Sequence, residues 1–195
     1  MKFNKILILG STYLTQLVVE KLQQSEYNLV GYIQNKRTPV PGRINLPVVD
    51  LNTDYDIALC LQYDRWIKEP KNVFNLHTGL LPEYGGLDIL RHTLNNNEYE
   101  QGMTFHKMGS EYDYGPIISK ITYPIIQDDT IHNLYLRQCS IAPNFVCSCL
   151  KLLSCLSEEE IDKCFSSKPK IYEREYDNSP INLLEEEINF LENKL

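Results

Sequence analysis

Four consecutive apolar residues, Ile6-Leu7-Ile8-Leu9, stop at Gly10-Ser11-Thr12, and beyond them Leu14, Leu17, Val18 and Leu22 recur at helical spacing. The pattern predicts a strand, a turn and an amphipathic helix. Tyr27 to Ile33 reads as a second strand, and the three elements together make one βαβ unit of a parallel sheet. Asn35 to Gly42 is a polar loop containing Pro39 and Pro41, after which a third apolar segment arrives at Leu46-Pro47-Val48-Val49. Asp56-Ile57-Ala58-Leu59-Cys60-Leu61 is nearly all apolar, as a central strand covered on both faces must be. Val73 to His77 is a further strand, ended by Thr78-Gly79 and a Leu80-Leu81-Pro82 corner. On a strand, Asn75 and His77 point to one side and Leu76 to the other.

Leu87 to Leu94 has a helical look, while Thr104 to Lys107 and Pro116 to Tyr123 read as strands around the loop 109–115. Asp128 or Asp129 is placed to cap a long helix whose apolar residues run from Ile131 past Leu153, with a kink expected at Pro143. Ser157 to Pro180 is polar and weakly periodic. Ile181, Leu184, Ile188 and Leu191 then mark a last amphipathic helix that must dock on its own domain or on a partner. The fold class that follows is α/β, a Rossmann-like open and mostly parallel sheet with helices on both faces.

Composition narrows the function classes. A chain of 195 residues with 43% hydrophobic content suits one medium domain. A net charge of −7 argues against nucleic acid as a partner, because gripping a polyphosphate needs a basic stripe. A small anionic metabolite held by local N–H groups remains compatible. Cys60, Cys139, Cys147, Cys149, Cys155 and Cys164 lack paired metal-site spacing and read as free thiols, so neither a metal nor a disulfide is expected. The apolar run after Met1 to Lys5 is too short for a signal or a membrane span, so a cytoplasmic protein is expected.

Asn75 and His77, at the end of a buried strand and before a glycine-bearing turn, form a lip of the kind open α/β sheets use for ligands. Taken alone, a structural histidine and a turn-forming asparagine suffice to explain them. Three further blocks change that: Leu81-Pro82-Glu83-Tyr84-Gly85-Gly86, then Gly102-Met103-Thr104-Phe105-His106, then Asp113-Tyr114-Gly115-Pro116-Ile117. In order and separation, the four blocks resemble the formyltransferase family, which carries Asn-x-His, Leu-Pro-x-Tyr-x-Gly, Gly-x-Thr-x-His and Asp-x-Gly-x-Ile. The resemblance extends from Ile6 to the helix after Asp129.

That resemblance implies a formyltransferase-type catalytic domain over residues 1–156, with a trimmed N-terminal half, followed by a polar connector and helix over 157–195. It implies 10-formyltetrahydrofolate as co-substrate, no metal, and an amine as acceptor. Attack of a neutral amine on a formamide-like carbonyl builds negative charge on oxygen and positive charge on nitrogen, so the site needs a donor and an acceptor. Asn75 is suited to donate to the oxygen. His77 takes the amine proton or stabilises the tetrahedral species as imidazolium, and Asp113 orients His77 and relays a proton toward the departing folate nitrogen. His106 reads as a supporting or core-lining residue, and His92 and His132 as surface or packing residues.

By the same resemblance, the folate slot lies in the loop after the central strand, with Tyr63, Trp66 and Ile67 on one side and Leu81 and Tyr112 opposite. The alternative is that Trp66 is simply core. Gly10, Ser11 and Thr12 are the expected acceptor-binding residues, their N–H groups lying near the start of the first helix. Methionyl-tRNA formyltransferases carry an extra C-terminal barrel and a basic surface that this sequence lacks. Glycinamide ribonucleotide formyltransferases open with Gly-x-Gly-Ser-Asn, whereas this chain has Gly10-Ser11-Thr12-Tyr13. It also has Gly85 where an arginine often precedes the second glycine of Leu-Pro-x-Tyr-x-Gly. The opening loop and Gln62-Tyr63 favour a nucleotide-linked amino sugar, with glycinamide ribonucleotide as the alternative. A non-catalytic folate- or nucleotide-binding module and a formyltetrahydrofolate hydrolase stay open, as does the oligomeric state, a homodimer included.

Overall fold

A computed structural model of the chain describes residues 1–38, 41–68 and 70–174. In chain order its elements are β1 (Lys5–Leu9), α1 (Tyr13–Leu22), β2 (Asn28–Ile33), β3 (Ile57–Leu61), β4 (Val73–His77), β5 (Gly85–Gly86), α2 (Ile89–Asn95), β6 (Glu100–Lys107), β7 (Ile117–Pro124), α3 (Ile131–Cys155), α4 (Glu158–Asp162) and β8 (Ile171–Tyr172). Six strands form one open sheet in the order β2-β1-β3-β4-β6-β7. β2, β1, β3 and β4 run parallel, and β6 and β7 are added antiparallel at the far edge. The open, mostly parallel sheet read from the sequence is therefore present. Every residue of β3 is buried, as its unbroken apolar run requires.

The period-2 alternation of the strands builds two different layers. Ile6, Ile8, Ile57, Leu59, Leu61, Phe74, Leu76, Met103 and Phe105 pack with α1 and α3 into the larger core. In α3, Leu134, Val146, Leu150 and Leu153 are fully buried, worth roughly 1.5–3 kcal/mol per side chain. Leu7, Leu9, Ala58, Cys60 and Val73 face the other way and meet Ile33, Ile67 and the loop residues Val49, Tyr55, Tyr63 and Met108. Among the described residues no helix contributes to this second cluster. The connections 34–56 and 62–72 are polar and proline-bearing, and they cover the face as loops.

Helix ends follow local chemistry more closely than expected. Thr12 caps α1, its hydroxyl accepting from Thr15 N while Thr15 reaches back to Thr12 N. Thr130, rather than Asp128 or Asp129, caps α3. Asp129 instead holds Arg137 through two contacts of 2.9 and 3.0 Å. Pro143 lies inside α3 without ending it.

Residues 157–174 belong to the same body as the sheet rather than forming a connector outside it. Ile161 of α4 is buried in the larger core, and β8 pairs with β5. That pairing is extended by Gly85 N to Lys170 O, Leu87 N to Tyr172 O and Lys170 N to Pro82 O, at 2.8–2.9 Å. The amphipathic helix expected around Ile181 to Leu191 lies outside the described residues.

Candidate active site

Asn75 and His77 project from the carboxyl half of β4 onto the loop-covered face. The register sets Asn75 beside Cys60 of β3 on one side and His106 of β6 on the other, and sets His77 beside Thr104. The Thr104 hydroxyl donates to Gly79 O at 2.7 Å and accepts from Leu81 N at 3.0 Å, so it ties down the turn that follows β4.

Asp113 enters from the loop after β6 with a left-handed backbone, φ 47°, which aspartate tolerates better than most residues. Its Oδ2 accepts from Gly86 N at 2.7 Å. Its Oδ1 lies 3.4 Å from His77 Nδ1 and 3.4 Å from Asn75 Nδ2. The expected trio is thus brought together around one carboxylate.

The histidine tautomers follow from the partners. His77 Nε2 is 2.6 Å from Tyr84 O, and a carbonyl only accepts, so Nε2 carries the hydrogen. Nδ1, facing Asp113, is then the nitrogen able to take up or release a proton. His106 Nδ1 donates to Lys107 O at 3.2 Å, which leaves its Nε2 to accept from Asn75 Nδ2 at 3.1 Å. Burial, and after it the proximity of His77, pushes the His106 pKa down to about 4, so this ring stays neutral and keeps its acceptor at neutral pH. His106 therefore turns the Asn75 carboxamide so that its NH₂ lies toward Asp113. Cys60 also lines the site, but burial pushes its thiol up to about 12, which removes it as a nucleophile.

Asn75, His77, Asp113 and Cys60 line a cavity of about 520 Å³, a size that suits a small-molecule site. Trp66 and Tyr112 stack on each other at its wall, ring centroids 5.0 Å apart, and are 43% and 52% exposed. Trp66 is therefore not a core residue. Tyr63 also lines the cavity, with the Arg65 guanidinium 4.8 Å above its ring.

Other candidates lie elsewhere. Ile67 packs in the second cluster and Leu81 is buried in the turn after β4; neither lines the cavity. The apolar character that suggested them serves the core. Of Gly10, Ser11 and Thr12, only Thr12 reaches the cavity. Gly10 N donates to Ile33 O and Thr12 N to Thr15 Oγ1, while the Ser11 hydroxyl engages Thr38 and Asn35 N. The loop spends the Gly10 and Thr12 N–H groups and the Ser11 hydroxyl on its own closure. Gln62, part of the Gln62-Tyr63 stretch that favoured an amino sugar, lines the cavity, and so do Asn35 and Arg37, which the sequence did not single out. Their place just beyond the ends of β3 and β2 is the signal, since open α/β sheets bind ligands at the carboxyl ends of strands. His92 packs against Tyr172, 4.6 Å between ring centroids.

Residues 63–150, which hold Asn75, His77, His106 and Asp113, match the family model described as Formyl transferase. The chain is 26% identical over 184 residues to a methionyl-tRNA formyltransferase of Kosmotoga olearia, covering 77% of this chain and 59% of that protein. It thus spans under two thirds of that relative. Among solved structures, it is similar to the N-formyltransferase from Helicobacter canadensis in complex with folinic acid and dTDP-3-aminofucose, with TM-score 0.74 and 22% identity over 88% of this chain and 71% of that one. It is similar also to a glycinamide ribonucleotide transformylase from Symbiobacterium toebii, with TM-score 0.66 and 18% identity over 81% and 92%. The resemblance to formyltransferases carried by the four motifs is borne out, and the fold is the one these enzymes share. Among the described residues no helix is long and apolar enough to cross a membrane, and no cluster of side chains suited to a metal ion is formed.

Proposed function

We propose that the chain is an N-formyltransferase that moves the formyl group of 10-formyltetrahydrofolate to a primary amine, most readily that of a nucleotide-linked amino sugar. The observation that carries this reading is the convergence of Asn75 and His77 on the Asp113 carboxylate at the cavity. The folate supplies the formyl carbon and a nitrogen leaving group. Asn75, turned by His106, exchanges its long 3.4 Å contact with Asp113 for the formyl oxygen and so offers an N–H as negative charge develops there. His77 accepts the proton of the attacking amine at Nδ1, and Asp113 holds the ring and the resulting positive charge. Exchange of that proton along Asp113 brings it to the departing nitrogen.

The stacked Trp66 and Tyr112 offer a flat apolar wall for a pteridine. Titrating the protein with a reduced-folate analogue shifts or quenches the emission of Trp66, the chain's single tryptophan. A bound analogue that leaves this emission unchanged relocates the slot.

The preference for an amino sugar rests on the first loop, which spends the Gly10 and Thr12 N–H groups on its own closure and so offers a ribonucleotide phosphate fewer donors. Incubation of 10-formyltetrahydrofolate with a panel of nucleotide-linked 3- and 4-amino sugars, and separately with glycinamide ribonucleotide, yields an N-formyl product from the sugars, read by mass. Product from glycinamide ribonucleotide alone reverses the acceptor ranking. Folate consumed without any amine product makes the protein a hydrolase, and the absence of any turnover leaves a binding module.

A further inference from the structure

Gln62 follows the last residue of β3 and holds a left-handed backbone, φ 56°, at the carboxyl edge of the sheet. Three separate elements grip it. The Thr12 hydroxyl donates to its Oε1 at 2.8 Å, the Tyr135 hydroxyl of α3 lies 3.5 Å from the same atom, and Asn35 Nδ2 donates to its main-chain oxygen at 2.9 Å. The Thr12 hydroxyl is itself held, because it accepts from Thr15 N in the α1 cap. The Thr12 hydroxyl already accepts from Thr15 N and donates to Oε1, which favours the amide orientation that turns the NH₂ away from Thr12.

Gln62 lines the same cavity as Asn75 and His77. Among the described residues its Nε2 has no hydrogen-bond partner. The grip on Oε1 comes from the β1 and α3 side, whereas the aromatic wall is made by Trp66 and Tyr112 from the loops after β3 and β6. A donor pair held in this way, apart from the flat apolar wall, is suited to reading an oxygen on the second substrate.

Resting on the formyl-transfer reading, we infer that Gln62 sets acceptor specificity, its Nε2 donating to a hydroxyl or carbonyl oxygen that neighbours the reacting amine. The strained backbone at this position is then the means by which the carboxamide is aimed. The first loop serves selectivity indirectly, through the Thr12 hydroxyl, rather than by contacting an anion itself.

The test is steady-state kinetics on Gln62→Glu and Gln62→Met with the best amino-sugar acceptor, beside the Kd of a reduced-folate analogue. Gln62→Glu keeps the oxygen that Thr12 and Tyr135 bind and replaces only the donor; Gln62→Met removes the donor without adding charge. The acceptor KM rises about tenfold or more in both, in line with an unpaired polar group in a bound complex. Turnover at saturating acceptor and the folate Kd stay near those of the parent. An unchanged acceptor KM in both variants overturns the inference, and so does a weakened folate Kd, which assigns Gln62 to the folate side. Failure of both variants to fold also overturns it, since Gln62 is then structural. If the parent protein forms no N-formyl product with any amine, the formyl-transfer reading falls together with this inference; if the parent turns over and the variants match it, only the inference falls.

Discussion

Asp113→Asn lowers turnover by about 10²–10⁴-fold, the span expected for loss of a positioned proton-transfer group, while the affinity for a reduced-folate analogue barely changes. The substitution preserves size and can keep the contact with Gly86, because an amide oxygen accepts that N–H as the carboxylate Oδ2 does at 2.7 Å. Its NH₂ then replaces Oδ1, which lies 3.4 Å from both His77 Nδ1 and Asn75 Nδ2. A donor facing Asn75 Nδ2 leaves that amide only His106 Nε2 as acceptor, and no negative charge remains to hold His77 once its Nδ1 is protonated. The stacked Trp66 and Tyr112, proposed above as the folate wall, are untouched, which is why binding is expected to survive. Single-turnover rates beside fluorescence titration separate the two effects. Near-parental turnover in Asp113→Asn removes this residue from the proton path.

Gly86→Ala is the second large effect, and it reaches the site through the backbone. Gly86 has φ 98°, a conformation that side-chain-bearing residues rarely adopt, and a Cβ there would stand 2.1 Å from Tyr172 O and 2.8 Å from Tyr172 N. β8 must withdraw or the loop must shift. Because φ 98° itself disfavours alanine, the loop shifts, the Gly86 N–H leaves Asp113 Oδ2, and the carboxylate loses its anchor. The strained position alone costs roughly 1–3 kcal/mol. For a domain of this size that lowers the melting temperature by about 2–4 °C per kcal/mol. Turnover falls by roughly 10²-fold or more, matching the loss of one positioned catalytic interaction. Melting curves and kcat on the same preparation check both parts. Unchanged kcat with a lowered melting temperature leaves the β5–β8 pairing a structural feature only.

The parts of the fold with a strong period were legible in the sequence. β1, α1 and β2 follow from one apolar run and one 3.6-residue stripe, and β3 from its unbroken burial. Strand alternation alone was enough to put Asn75 and His77 on one side, and the four motifs pointed to Asp113. The two-residue strands β5 and β8 were invisible, because Gly85-Gly86 and Ile171-Tyr172 carry no pattern and meet only through tertiary contacts. The apolar residues Ile67 and Leu81 could serve core or pocket equally well, and only their neighbours decide. The α1 cap was missed because Thr12-x-x-Thr15 departs from the usual Ser/Thr-x-x-Glu/Gln form, and with it went the knowledge that the first loop uses its own donors. Thr130 was passed over for the acidic residues beside it, one of which serves Arg137.

The helix-packed and loop-covered faces of the sheet separate two traits that many enzymes have entangled. Most of the burial sits with α1 and α3 on one face, while the stretch 62–68 and the loop 109–115 supply much of the cavity wall on the other. Apart from Ile67 and Asp113, exchanges in those loops draw little on the free energy that keeps the chain folded, so variation there is tolerated and can redirect which amine is accepted. Under the proposed reading, acceptor range is a trait this protein can change quickly by drift or by laboratory recombination of loops. The constellation of Asn75, His77 and His106, rooted in sheet strands, is inherited intact.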